Sequence, residues 1–348
     1  MRKVSLTGIK PTGTPHIGNY LGAIMPAIEL ARQYDAYYFI ADYHALTTVK
    51  DGRNLEELSY EVACTWLALG LDPEKVIFFR QSDIPQVFEL NWILACSTAK
   101  GLLNRAHAYK AYVDKNTAAG KTPDDGINSG VFNYPVLMAA DILLFGSDFV
   151  PVGLDQKQHV EIARDIALAF NNEYKKNVLK LPAPLIGEDV MTIPGLDGRK
   201  MSKNYGNTIP IFLPTEQLRK RVMRIVTDSK LPAEPKDPDK DNIFAIYRHF
   251  ASPEAQATAR AEYERGGKSY AEMKQQLFEL LEATFADARL KYNELMADRP
   301  YVDRLLHQGA EKARAIASPL IDKIRKTIGA SPAFSSTLQQ KSDHLHVP

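Results

Sequence analysis

Three short apolar runs rich in β-branched and aromatic residues, Val4 to Ile9, Ala36 to Ala41 and Lys75 to Arg80, are separated by longer stretches of helical periodicity. Strands spaced this way cannot pair as hairpins, so they predict a parallel sheet covered by helices on both faces. The intervening pattern is clear from Asn54 to Leu69, where Leu55, Leu58, Val62, Trp66 and Leu69 recur every three to four residues. An Asn54/Glu57 capping pattern is expected to open this helix and Gly70 to close it. Beyond Pro214 strand signals cease. Segments 214–227, 241–250, 253–265, 269–296 and 300–328 have helical spacing, broken by the linker 232–240 and by Gly266-Gly267. The expected fold is α/β, a doubly wound parallel sheet of Rossmann-like type followed by an all-helical C-terminal domain. With 348 residues there is room for both. The expected boundaries are a sheet domain over 1–206, a helical domain over 207–296, a helix over 297–330 returning towards the sheet domain, and a weakly ordered tail over 331–348.

A hydrophobic content of 45% with 24% charged residues excludes a disordered or fibrous chain. Cys64 and Cys96 are the only cysteines and lie in helix-like stretches, which predicts neither a disulfide framework nor a cysteine-based metal site. The first apolar run stops at Gly8 before Lys10 and Pro11, too short for a signal peptide. No run approaches ~20 apolar residues, since Asp141 interrupts even Val136 to Phe145. A cytoplasmic protein with no membrane partner is expected. The net charge of +1 is uninformative, but Asp197 to Lys230 holds eight Lys or Arg against Asp197, Glu216 and Asp228. That local excess suits phosphates or a solvated helix face.

Chemistry enters at the first strand-to-helix turn, Pro15-His16-Ile17-Gly18-Asn19. A helix starting there offers unpaired N–H groups to phosphate. His16 adds a donor, Gly18 permits close approach to a base, and Asn19 is expected to open the helix. A Gly-x-Gly-x-x-Gly turn is absent, which weighs against a dinucleotide oxidoreductase. Far downstream, Gly198-Arg199-Lys200-Met201-Ser202-Lys203 places two lysines on a loop, where mobile cations can meet developing charge. Between them, Asp141 interrupts an apolar stretch, and a buried carboxylate requires a donor from protein or ligand. Helix spacing puts Tyr134, Met138 and Asp141 on one face, which combines a hydroxyl, a soft apolar wall and an acceptor. Polar residues from Asp114 to Gly130 predict a long loop. An Asp155/Gln158 pattern predicts a cap on the helix through Val160, Ile162, Ile166 and Phe170.

In this order, the two signature segments resemble the HIGH and KMSKS motifs of class I aminoacyl-tRNA synthetases. The segment Asn133-Tyr134-Pro135-Val136-Leu137-Met138-Ala139-Ala140-Asp141-Ile142-Leu143-Leu144-Phe145 narrows the resemblance. With Ile40-Ala41-Asp42-Tyr43-His44-Ala45-Leu46-Thr47 and Pro151-Val152-Gly153-Leu154-Asp155-Gln156-Lys157-Gln158-His159, it is similar to the tryptophanyl-tRNA synthetases from about Ser5 to Ile328.

The resemblance implies activation of L-tryptophan by ATP, with Mg²⁺, and transfer to the 3′ end of tRNA(Trp). His16, Asn19, Lys200, Ser202 and Lys203 would be catalytic. Lys10, Gly18, Gly153, Asp155, Gln156, Lys200 and Met201 would line the ATP site. Gly8, His44, Tyr134, Met138, Asp141, Val150, Val152 and Gln156 would form the tryptophan pocket, with Asp141 accepting the indole N–H. No metal ligated by protein is implied. The helical domain would read the anticodon, Arg219, Lys220, Arg221 and Arg224 could meet tRNA backbone, and a homodimer without DNA as partner is implied. Three positions depart from the family's usual pattern: Asn204 ends the lysine motif, Lys10 stands where Gln is common, and Leu6 replaces a bulkier aromatic. The alternatives are a tyrosyl-tRNA synthetase, a small adenylyltransferase, or a synthetase-derived sensor of tryptophan or RNA.

Overall fold

The computed structural model describes residues 2–186 and 192–330, apart from the side chain of Asp155; the tail expected to be weakly ordered lies outside the described residues. The first half of the chain runs β1 (Val4–Ile9), α1 (Ile17–Asn19), a π-turn (Tyr20–Ile24), α2 (Met25–Leu30), β2 (Asp35–Ile40), α3 (Asp42–Ala45), α4 (Gly52–Ala68) and β3 (Ile77–Arg80). Next come α5 (Pro85–Ser97), α6 (Lys100–Asn104), α7 (His107–Ala118), α8 (Ser129–Leu144), β4 (Phe149–Pro151), α9 (Lys157–Glu173) and β5 (Ala183–Leu185). The remainder is helical: α10 (Thr215–Met223), α11 (Asn242–Tyr247), α12 (Pro253–Arg265), α13 (Tyr270–Ala297) and α14 (Arg299–Ile328).

All strand pairs are parallel, in the order β3-β2-β1-β4-β5. The period of two along β2 divides its side chains between two cores. Tyr38 and Ile40 join Ile17, Trp66 and Phe78 on one face, a cluster that continues into Leu277, Phe285 and Val302 of the helical part. Tyr37 and Phe39 join Leu6 and Phe79 on the other, against Leu90, Ala139 and Phe170. Both faces are thus apolar, as the continuous strand runs demand.

Helix α14 belongs to both cores, with Val302 and Leu306 in the first and Ala313, Ala317 and Ile321 in the second. Between these lies Gly309, pressed on the edge strand β3: a Cβ there would sit 1.8 Å from the Phe78 carbonyl oxygen. The helix thereby shields a sheet edge that would otherwise offer unpaired backbone groups. Arg299 pairs with Glu57 at 2.5 Å, Arg80 with Asp303, and Arg325 grips Glu89 through two bonds of 2.7 and 2.5 Å.

Several local expectations need correction. The cap of α4 is Asp51, whose Oδ1 accepts from the N–H groups of Arg53 and Asn54, so the helix starts before Asn54. Helix α7 occupies 107–118, which leaves a shorter loop than the polar composition predicts; Asn116 and Thr117 lie within its last turn. Helix α9 is preceded by a 3-10 turn over Leu154–Gln156, and Gln158 reaches away to accept from the His107 N–H at 2.9 Å instead of capping. Strands β4 and β5 gave no pattern because each has three residues including a proline. Pro184 is tolerated since β5 is at the sheet edge. No helix among the described residues is long and apolar enough to cross a membrane.

Glycine costs ~1 kcal/mol relative to alanine inside a helix, yet at Gly309 contact outweighs propensity. Gly309→Ala is expected to destabilise the protein by about 3 kcal/mol through overpacking against β3, measured by denaturant unfolding; a stabilised variant would contradict the packing argument.

Candidate active site

From β1 the chain builds outward to β2 and β3, then returns to the other side of β1 for β4 and β5. That reversal leaves a crevice beyond the carboxyl ends of β1 and β4, the place where such sheets bind ligands. Lys10 and the 15–19 turn follow β1, His44 follows β2, and Gln81 follows β3. Val150, Val152, Gly153 and Gln156 lie at the end of β4 or just after it. Lys10, Thr47, Tyr112, Tyr134, Gln156 and His159 line a cavity of about 190 Å³.

The first turn is a reciprocal capping box. His16 Nδ1 accepts from the Asn19 N–H at 3.3 Å, while Asn19 Oδ1 accepts from the His16 N–H at 3.1 Å. Asn19 is therefore the third residue of the helix, which opens at Ile17 instead. Since Nδ1 receives a backbone donor, the proton of neutral His16 sits on Nε2, which becomes the donor. Burial, reinforced by the charge of Lys203, lowers the His16 pKa from 6.5 to about 4, so the ring is neutral at physiological pH. Gly18 is closely packed: a Cβ would lie 3.0 Å from His16 Nδ1, so the ring would have to shift by a few tenths of an ångström, and 3.6 Å from Met201 Sδ.

This contact with Met201 shows that the two signature segments are neighbours. The Ile17 N–H donates to the Ile209 carbonyl at 3.0 Å and the Ile211 N–H to Pro15 at 3.2 Å. A small hairpin carries the lysines, closed by Met201 N–H to Ile193 at 2.8 Å and by Gly195 N–H to Arg199 at 2.7 Å. Its organiser is Asn207, 3% exposed, which sequence reasoning missed. Asn207 Oδ1 accepts from the Ser202 N–H at 2.8 Å, and Nδ2 donates to Asp197 at 2.7 Å and to the Lys200 carbonyl at 3.2 Å. Lys200 is exposed, whereas Lys203 is half-buried and donates to the Gly13 carbonyl. Ser202 caps the 3-10 turn that follows, accepting from the Asn204 N–H at 3.3 Å.

Asp141 lies on α8 facing the sheet and is 2% exposed. Its donors come from the protein: Gln81 Nε2 lies 2.9 Å from both oxygens and His44 Nε2 is 2.9 Å from Oδ2. Gln81 also accepts from the His44 N–H at 3.3 Å, so it ties the ends of β2 and β3 to α8. Nothing in the residue pattern around Gln81 pointed to it; only the parallel pairing of β2 with β3 brings it to Asp141. Burial pushes the Asp141 carboxyl up, against the pull of His44 and then Gln81. His44 Nδ1 is buried without a hydrogen-bond partner.

The rings of His44 and Tyr134 meet edge to face at 4.6 Å, and Tyr134 carries the Lys10 ammonium 5.8 Å above its centroid. Burial, with the Asp141 charge, pushes the Tyr134 hydroxyl up. Lys10 donates to the Thr47 hydroxyl at 2.8 Å, and its pKa is lowered by burial. Met138 and Val152 are partly buried and Val150 is 4% exposed. Gly8 faces Phe39, whose Cζ would be 2.4 Å from a Cβ, so this core aromatic fills the space beside the strand glycine. Gly153 precedes the 154–156 turn. The side chain of Asp155 lies outside the described residues.

Residues 2–286 match the family model of the class I tRNA synthetases for W and Y. The tryptophan–tRNA ligase of Pseudomonas aeruginosa is 52% identical over 328 residues, 93% of this chain and 73% of that one. The crystal structure of tryptophanyl-tRNA synthetase from Campylobacter jejuni, complexed with ADP and tryptophan, is 46% identical with a TM-score of 0.87, over 94% of this chain and 99% of that one. A tyrosyl-tRNA synthetase from Archaeoglobus fulgidus, with L-tyrosine, is 18% identical with a TM-score of 0.58, over 83% of this chain and 90% of that one. That likeness extends to the fold alone.

The His16 environment has a measurable pH signature. A folded pKa of about 4, below the ordinary 6.5, means that the unfolded chain takes up this proton first as pH falls. The stability linked to His16 is then intact above pH 6.5 and lost progressively towards pH 4. Titration of labelled histidine rings by NMR is expected to show one ring with this low value that is absent in His16→Gln; a normal value at His16 would refute the buried neutral donor.

Proposed function

The chain belongs to the class I tRNA synthetases for tryptophan and tyrosine, and from that membership we propose that it acts as a tryptophan–tRNA ligase. The observation that carries this reading is likeness along nearly the whole chain to ligases for tryptophan, whereas the tyrosine enzyme shares only the fold. The tryptophan carboxylate attacks the α-phosphorus of ATP, the Pα–O bond to pyrophosphate breaks, and tryptophanyl-adenylate remains. The 2′-hydroxyl of the terminal adenosine of tRNA(Trp) then attacks the acyl carbon and AMP leaves.

The first step needs positioning and charge stabilisation more than a base. His16 donates from Nε2 to phosphate, and Asn19 holds that ring. Lys200 and Lys203 neutralise the departing pyrophosphate, with Ser202 setting the turn between them. A single preorganised donor of this type is typically worth ~10²–10³ in rate. Gly18 and Met201 flank the base, and Gly153, Asp155 and Gln156 take the ribose. Tyr134 and Gln156 hold the substrate ammonium, and Lys10 supplies a cation beside them. Met138, Gly8, Val150 and Val152 enclose the indole. Asp141 Oδ1 receives one protein donor and retains a lone pair for the indole N–H. His44 keeps that carboxylate in place.

Among the described residues no three His, Cys, Asp or Glu side chains converge into a cage for a metal ion. The Mg²⁺ in this reading would travel on the triphosphate oxygens; its chemistry there is charge neutralisation. Arg219, Lys220, Arg221 and Arg224 of α10 would meet tRNA backbone, with anticodon reading by the helical part. A cytoplasmic location agrees with the free thiols of Cys64 and Cys96.

A homodimer completes the proposal. Trp92 is 72% exposed, one turn beyond Phe88 on α5, and Phe88 with Tyr43, Leu46 and Leu137 lines a second cavity of about 270 Å³. An apolar face of this kind suits a second copy of the chain. Trp92→Ser is expected to shift the species seen by sedimentation velocity from dimer to monomer; a monomeric wild type would remove the dimer from this reading.

The substrate is tested by pyrophosphate exchange into ATP with each of the twenty amino acids. Exchange with tryptophan alone is expected, exchange with tyrosine supports the rival ligase, and none supports a sensor. Asp141→Ala is expected to raise KM for tryptophan at least tenfold with ATP binding retained, and equal loss of both would mark Asp141 as purely structural.

A further inference from the structure

Gln81, just beyond β3, is a polar side chain with no exposure at all. A buried amide is costly unless both its ends are bonded. Here Nε2 donates to the Asp141 carboxylate, 2.9 Å from each oxygen, and Oε1 accepts from the His44 N–H at 3.3 Å. A carboxylate only accepts and a peptide N–H only donates, so one orientation of the amide satisfies both ends and the flipped one satisfies neither. A glutamate there would set carboxylate against carboxylate, and an apolar side chain of the same length would leave both ends open.

The consequence falls on Asp141. His44 Nε2 lies 2.9 Å from Oδ2, so among the described residues that oxygen has two donors and Oδ1 has one. The open lone pair is therefore on Oδ1. Without Gln81 the carboxylate would be held by His44 alone, and the torsion that turns its plane has only a broad preference of its own. Charge acts in the same direction. Burial favours a protonated Asp141, which would have one acceptor fewer, whereas His44 and then Gln81 favour the carboxylate. Tyr134 faces the same carboxylate from α8 and is kept neutral by burial first.

The backbone that carries Gln81 is fixed on both sides. Asp303 of α14 pairs with Arg80, Arg314 donates to the Asp83 carbonyl at 2.8 Å, and Gln86 donates to Ser318 Oγ at 3.0 Å. Ser82 donates through its N–H at 3.1 Å, and through its hydroxyl, to Asp42 at the start of α3. The amide is thus presented to Asp141 from a segment gripped by two helices.

We propose that Gln81 is a positioning residue that sets the selectivity of the pocket for an N–H donor, by fixing the Asp141 carboxylate with Oδ1 open to the indole. The inference rests on the ligase reading, in which Asp141 accepts the indole N–H. A ring of the same shape without that donor gains nothing from the arrangement, so the loss of Gln81 is felt by tryptophan and not by such a ring.

The test compares tryptophan with its analogue in which sulfur replaces the indole N–H, by calorimetric binding and by pyrophosphate exchange on the full-length protein. Gln81→Met keeps the length of the side chain and removes both bonding ends. In this variant Kd and KM for tryptophan are expected to rise about tenfold, while those for the sulfur analogue stay within about twofold. KM for ATP and kcat with tryptophan should hold, as the loss is one of binding and not of chemistry. Gln81→Asn, with its amide one methylene short, should give a smaller loss in the same direction and serves if the Met variant does not fold. An unchanged preference for tryptophan over the analogue in both variants, or an equal loss for the two amino acids, overturns the proposal and leaves Gln81 as a staple between β2, β3 and α8. Failure of the ligase reading is separate: the wild type would then show no tryptophan-dependent exchange, while calorimetry would still report the preference that Gln81 is held to set.

Discussion

Everything in the molecule depends on the pairing of β1 with strands on both its sides. Its register to β2 runs unbroken from Val4 with Asp35 to Ile9 with Ile40, while β4 touches it through Ser5 and Phe149. Because successive strands are added first on one side and then on the other, the carboxyl end of β1 lies at the point where winding reverses. A sheet of this kind cannot close that point with its own helices, since these depart to opposite faces. The crevice is a consequence of strand order, and Lys10, Thr47, Tyr134 and Gln156 meet there although they are far apart in sequence.

A second constraint fixes how the helical part sits on the sheet. A polar strand edge at β3 needs a cover, and α14 provides it at the range of backbone contact through Gly309. Such an approach leaves little freedom to slide, because the helix contributes Val302 to one core and Ala313 to the other. The flanking ion pairs of Arg299, Asp303 and Arg325 are partly exposed and add orientation more than energy. The first core runs without a break from Ile17, beside the capping box, to Phe285 of α13. The turn and the helices that follow the sheet are consequently one packed unit.

Long apolar periods made much of this legible from residues alone: β1, β2, β3, α4 and the helices after Pro214 announce themselves by spacing. The three-residue strands β4 and β5 do not, because with so few side chains a period of two cannot be told from chance, and their prolines read as breaks. The buried acceptor at Asp141 was readable as an anomaly in an apolar run. Its partner Gln81 was not, since a glutamine after a strand has no distinguishing pattern until β2 and β3 are paired. Asn207 escaped for the same reason: its role is to satisfy backbone groups of a hairpin whose existence only the tertiary structure reveals. Capping residues fell in between. Asn54 has the right side chain for a cap but lies inside α4, whose cap is Asp51 three residues earlier.

The two lysines of one loop illustrate how local geometry divides labour that sequence presents as equal. Lys200 lies on the hairpin side of Ser202 and is exposed, whereas Lys203 lies on the turn side and reaches the Gly13 carbonyl. Asn207 binds the Ser202 N–H and the Lys200 carbonyl, so both lysines hang from a single anchor. Around the lysines that anchor holds backbone groups only, so it fixes where each side chain starts and leaves the stem of Lys203 free to turn about its own bonds. What separates the two cations is the direction in which the backbone on either side of Ser202 releases them: one to solvent, the other onto the carbonyl of Gly13, whose φ of +143° few other residues adopt.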